Sequence, residues 1–149
     1  MPRILILNGP NLNLLGTRQP EVYGATTLAD IEDMCRDKHS HSDVSLTFLQ
    51  SNHEGVLIDA IHGALKDETD GIIINAGAYT HTSVAIMDAV ASVQIPTIEL
   101  HLSNIHAREA FRHTSYLAKV AIGQICGFGA YGYIAAIDAM LHHVEAQME

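Results

Sequence analysis

Three groups of residues in this 149-residue chain have the types and spacing to do chemistry. Glu99 and His101 stand two apart, and on a strand such side chains point to the same face. A carboxylate beside an imidazole fixes its tautomer and stabilises its protonated form, which suits a general acid. Seen alone, the pair reads more readily as a buried structural ion pair or a solvated pair at a strand end. Arg18 and Tyr23 lie within Gly16-Thr17-Arg18-Gln19-Pro20-Glu21-Val22-Tyr23-Gly24, a segment with glycine at both ends. A guanidinium near a phenol favours phenolate, and a tyrosinate is a base. The plain alternative is a Tyr on the surface and an Arg in solvent. Arg108 and Arg112 lie four apart, on one face if that stretch is helical, and would recognise an anion or hydroxyls, or else be solvated helix charges.

Composition narrows what such groups could act on. Eight Lys and Arg oppose seventeen Asp and Glu, for a formal net charge of −9, and no basic run occurs. Nucleic acid is therefore excluded as a partner. A small anion could bind only where a few of the basic groups converge, which makes each arginine informative. Charged residues form 17% of the chain, a low share that hints at oligomerisation. Cys35 and Cys126 have no metal-ligand spacing, and a reduced compartment suits them as small apolar side chains. The apolar run Ile4-Leu5-Ile6-Leu7 is too short for a signal-peptide core, and no stretch approaches the roughly 20 apolar residues of a membrane span. A cytoplasmic protein with no membrane contact is expected.

The elements that must position these groups alternate. Strands are expected over residues 4–7, 44–50, 71–75, 96–100 and 119–126. Helices are expected from Leu28 to about 38 with Thr27 as cap, over 54–66, from Thr82 or Ser83 to about 92, over a short stretch 106–111, and from Ala130 to about 144. Five alternations argue for a single domain over 1–149: an α/β fold of flavodoxin-like type. Its five-stranded parallel sheet, of order 2-1-3-4-5, carries helices on both faces. Ligands of such sheets bind beyond the carboxyl ends of the strands, between strands 1 and 3. Polar residues collect there: Asn8 and Asn11 after strand 1, Gln50 to His53 after strand 2, Asn75 to His81 after strand 3, and Glu99, His101 and Ser103 at strand 4. The strand bodies are apolar.

Other readings are weaker. Gly127-Phe128-Gly129-Ala130-Tyr131-Gly132 matches a dinucleotide fingerprint, but it follows the last strand and no further βαβ unit completes it. A tight turn accounts for it. A flavin site would need hydroxyl side chains after strand 1, where Gly9-Pro10-Asn11-Leu12-Asn13 has none, and a phospho-receiver would need clustered acids there. A flavodoxin-like binding module without catalysis is the main alternative to an enzyme. Ten histidines raise the question of metal, yet their spacing forms no ligand set, the best pair being His101 and His106.

Four ordered motifs carry a family resemblance: Asn8-Gly9-Pro10-Asn11-Leu12-Asn13-Leu14-Leu15-Gly16-Thr17-Arg18 with Tyr23-Gly24; Gln50-Ser51-Asn52-His53-Glu54-Gly55; Asn75-Ala76-Gly77-Ala78-Tyr79-Thr80-His81-Thr82-Ser83; and Glu99-Leu100-His101-Leu102-Ser103-Asn104-Ile105-His106-Ala107-Arg108-Glu109 with Phe111-Arg112. From about residue 3 to residue 142 the chain resembles the type II 3-dehydroquinate dehydratases. It departs at Ala76, where proline is expected, and at Gln19, where glutamate is common. The resemblance implies dehydration of 3-dehydroquinate without metal, imine or cofactor, in a dodecamer of four trimers. It makes Tyr23 the base, with its pKa lowered by Arg18. Asn11 would hold a water that stabilises the enolate, and His101, supported by Glu99, would be the acid. Asn75, His81, Leu102, Ser103 and Arg112 would hold the substrate, and Asp88 would reach the neighbouring subunit's site. Arg108 would act behind these residues.

Overall fold

The computed structural model describes residues 1–17 and 20–148, with Val22 and Tyr23 described by backbone alone. Five strands, β1 (Arg3–Asn8), β2 (Ser45–Gln50), β3 (Gly71–Asn75), β4 (Thr97–His101) and β5 (Gly123–Cys126), form one parallel sheet in the order β2-β1-β3-β4-β5. The flavodoxin-like α/β architecture is thus the one expected.

The helices are α1 (Pro20–Tyr23), α2 (Leu28–Lys38), α3 (Glu54–Lys66), α4 (Val84–Val93) and α5 (Tyr131–Met148). Alternate residues of the central strands face opposite sides, so Ile4, Ile6 and Ile73 pack with α2 and α5, while Leu5, Leu7, Ile72 and Ile74 pack with α3 and α4. Each fully buried isoleucine contributes about 1.5–3 kcal/mol over leaving it in water. Helix starts follow local chemistry. Thr27 accepts from the Asp30 N–H while the Asp30 side chain accepts from the Thr27 N–H, a complete capping box. Ser83, not Thr82, caps α4 by accepting from the Ile86 N–H.

Two expectations are corrected. Residues 106–111 do not form one helix. Two separate 3-10 turns, Ile105–Ala107 and Ala110–Arg112, flank an extended Arg108 (φ −104°, ψ −162°). The Asn104 side chain caps the first turn and His113 Nε2 donates to the Arg108 carbonyl, so local side chains satisfy backbone groups that a helix would have used. Strand five begins at Gly123, since Leu117–Lys119 is a 3-10 turn with Leu117 buried and the Ser115 hydroxyl accepting from the Ala118 N–H. Residues 127–130 form the expected turn, with Gly127 at φ 96° and Gly129 at φ 59°, and α5 starts within the glycine motif at Tyr131. No helix among the described residues is long and apolar enough to cross a membrane.

Candidate active site

The carboxyl ends of β1, β3 and β4 border an open cleft, the place where small-molecule sites of such sheets form. Its wall at β4 is built on Glu99, which is fully buried. His101 Nε2 donates to Glu99 Oε2 at 2.7 Å, Thr80 Oγ1 at 3.1 Å, and the Ser115 hydroxyl lies 2.7–2.8 Å from both carboxylate oxygens. Burial by itself would push the carboxyl pKa up. Hydrogen bonds from His101, Ser115 and Gln124 and the imidazole charge outweigh it and hold Glu99 below the usual carboxylate range. A carboxylate so held only accepts, so His101 donates through Nε2 and keeps Nδ1 for another partner. His81 lies parallel to His101, with ring centroids 6.3 Å apart and 15° between planes. Its Nδ1 donates to the Thr114 carbonyl at 2.8 Å, leaving Nε2 for the cleft.

The floor lies where β1 and β3 end side by side, Asn8 opposite Asn75. A Cβ on Gly9 would stand 2.5 Å from the Ala76 carbonyl oxygen, so only glycine permits this approach. Ala76, at φ −78°, has a backbone that proline shares, which explains why alanine is accommodated there. Asn11 adopts the left-handed conformation (φ 71°), which asparagine tolerates better than most residues. The turn is braced from β2. Asn52 Oδ1 accepts from the Asn11 N–H at 2.9 Å and from Gln50 Nε2 at 3.2 Å, and Gln50 also donates to the Gly9 carbonyl. Beneath the floor, Tyr133 is wholly buried, and burial raises its phenol above its ordinary pKa.

The rim carries the cations. Arg108 Nη1 reaches Ser103 Oγ at 3.5 Å. Arg112 Nε donates to Glu109 Oε2 at 2.5 Å and its guanidinium lies 5.1 Å from the exposed Phe111 ring. Both arginines line the cleft with Leu102 and Ser103, although no shared helix face puts them there.

The structure therefore brings together Asn11, Asn75, His81, His101, Leu102, Ser103, Arg108 and Arg112 around the cleft, with Glu99 behind His101. Asp88 does not join them; it is exposed on α4. Arg18, Gln19 and the side chain of Tyr23 lie outside the described residues. Thr80 stands in the expected 75–81 segment, and its partner proves to be Glu99. Ser115, Gln124 and Tyr133 are not among the residues expected at the site, because their roles arise from contacts 16 to 125 residues apart, whereas Glu99 and His101 announce themselves by spacing. Among the described residues no three His, Cys, Asp or Glu side chains gather as a metal site requires. The arrangement offers a buried, carboxylate-oriented acid, two cations for an anionic substrate and several amide and hydroxyl groups for its hydroxyls.

Comparison with known proteins agrees. The family model for class II dehydroquinase matches residues 2–141. The 3-dehydroquinate dehydratase of Dinoroseobacter shibae is 70% identical over 143 residues, covering 96% of this chain and 95% of that protein. A catabolic 3-dehydroquinase of Pyricularia oryzae is 56% identical over 147 residues, covering 98% and 94%. The crystal structure of the type II dehydroquinase from Butyrivibrio crossotus superposes with a TM-score of 0.92 at 48% identity, over 94% of this chain and 97% of that one. With sheet order, cleft and sequence in agreement, the chain belongs to the class II dehydroquinase family.

Proposed function

We propose that this chain, as one catalytic domain, is a hydro-lyase that eliminates water from 3-dehydroquinate to give 3-dehydroshikimate through an enolate. The observation that carries the reading is the buried Glu99–His101 pair at the mouth of a cleft that also holds Arg108 and Arg112. In the proposed sequence, Tyr23, made more acidic by Arg18, takes a proton from C2. The electron pair moves onto the ketone oxygen, where a water held by Asn11 stabilises the enolate through a placed hydrogen bond. As the enolate collapses, His101 gives its proton to the C1 hydroxyl, which leaves as water. Exchange with solvent restores Tyr23 and His101. Asn75, His81, Leu102, Ser103 and Arg112 hold the carboxylate and hydroxyls, with Arg108 behind them.

The reaction is proposed to use no metal, cofactor or imine. An imine needs a lysine, and Lys38, Lys66 and Lys119 are all exposed and none lines the cleft. A dodecamer of four trimers is proposed from the family resemblance, and a cytoplasmic setting from the cysteine usage. The exposure of Asp88 outside its own cleft fits a contribution to a neighbouring subunit's site. The same step serves either aromatic biosynthesis by the shikimate pathway or quinate catabolism. An ultraviolet assay with 3-dehydroquinate in the presence of chelator tests the reading. Absorbance of the conjugated enone should rise with wild type and stay flat with Tyr23→Phe, which should still bind substrate. A flat trace from folded wild type would favour a binding module, and full turnover by Tyr23→Phe would remove the proposed base.

A further inference from the structure

Tyr133 heads the fully buried side chains by volume and sits in an apolar cluster with Ile4, Ile6 and Ile73. Phenylalanine would fill almost the same space without bringing an oxygen out of water, a cost met only by hydrogen bonding. Both bonds of this oxygen go to asparagines at the floor of the cleft. Asn75 Nδ2 lies 3.1 Å from it and Asn8 Oδ1 2.6 Å.

The direction of every bond in this chain is forced. A backbone N–H only donates, so the Asn75 atom that meets the Gly77 N–H at 3.2 Å is Oδ1. Its other terminal atom, Nδ2, must then donate to the Tyr133 oxygen. The single phenolic proton is therefore left for Asn8 Oδ1. An amide nitrogen carries two hydrogens. Tyr133 takes one, and Asn75 lines the cleft, so the other is the donor this side chain offers to a ligand. Burial also keeps the phenol neutral, so this polarity persists through the working pH range.

Resting on the reading of the cleft as the 3-dehydroquinate site, we infer that Tyr133 is a positioning residue: its hydroxyl, braced by Asn8, fixes the Asn75 carboxamide so that it presents an N–H to a substrate oxygen. Without that hydroxyl, Asn75 keeps only the Gly77 bond, and its terminal torsion is broad and shallow. The donor then wanders, and substrate binding suffers more than the chemical step.

Steady-state kinetics on 3-dehydroquinate, wild type first, tests the inference. Tyr133→Phe should raise KM about tenfold while kcat falls less than about threefold. The double variant Tyr133→Phe/Asn75→Ala should have the KM of Asn75→Ala alone, because the two changes remove one function. A purely structural hydroxyl would instead lower Tm and leave the KM of the folded fraction at the wild-type value, and that result, or additive KM effects, would overturn the inference. Should Tyr133→Phe not fold, Asn8→Ala decides: a raised KM supports the relay and a wild-type KM refutes it. A wild type without turnover would remove the functional reading and this inference with it. Turnover with an unchanged variant KM would remove the inference alone.

Discussion

Two carboxylates ten residues apart, Glu99 and Glu109, are both held below the usual carboxylate range, for different reasons. Glu99 has no exposed surface; burial raises its pKa, and hydrogen bonds from His101, Ser115 and Gln124 more than reverse this. Glu109 is about half exposed, and the hydrogen bond from Arg112 is the main cause. One carboxylate is committed before any ligand arrives: its partners are fixed and no solvent has to rearrange around the pair when a proton moves at His101. The other is a place-holder. It neutralises a cation at the rim, in water, where such a pair is worth little and exchanges readily. Under the proposed function, the contrast fits catalysis at the β4 wall and anion capture at the rim.

Substitutions at the two sites should therefore differ in size and in kind. Glu99→Gln keeps the shape but not the charge, and kcat should fall by about 10²–10⁴; a loss of less than about threefold would make the buried pair merely structural. The same variant has a signature in stability. Glu99 ionises more readily folded than unfolded, so the unfolded chain binds more protons in mild acid. Its contribution is complete above the unfolded carboxyl value of about 4.3 and is lost as pH falls through the lower folded value. Acid unfolding followed by circular dichroism should thus be less steep in Glu99→Gln than in wild type. Next in size, Arg112→Ala should raise KM roughly tenfold to a hundredfold with a smaller change in kcat, as loss of a charged hydrogen bond to substrate requires. An unchanged KM would remove Arg112 from anion capture. Smallest, Glu109→Ala should lower KM by no more than about twofold, since it removes only a solvated competitor. A large rise in KM would show that Glu109 positions Arg112 rather than merely neutralising it.

How much of this could be read from the chain depended on range. Thr27 with Asp30, the apolar run Ile72-Ile73-Ile74 and the i, i+2 spacing of Glu99 and His101 are local signals, and the structure follows each. The stretch 106–111 is not the short helix expected, because Asn104 and His113 divert its backbone bonds. The supports of the site were hidden for another reason. Ser115 meets Glu99 across 16 residues and Tyr133 meets Asn8 across 125, so nothing in their immediate sequence marks them, and the marked segment around Thr80 does not say that its partner is Glu99.

The most direct test of the account is the kcat of His101→Ala with 3-dehydroquinate, measured beside wild type on protein shown to be folded. The account predicts a fall of about 10²–10⁴ at saturating substrate, the contribution expected of a positioned general acid. Turnover near the wild-type value would mean that the leaving hydroxyl takes its proton from elsewhere and that the Glu99–His101 pair only holds the fold.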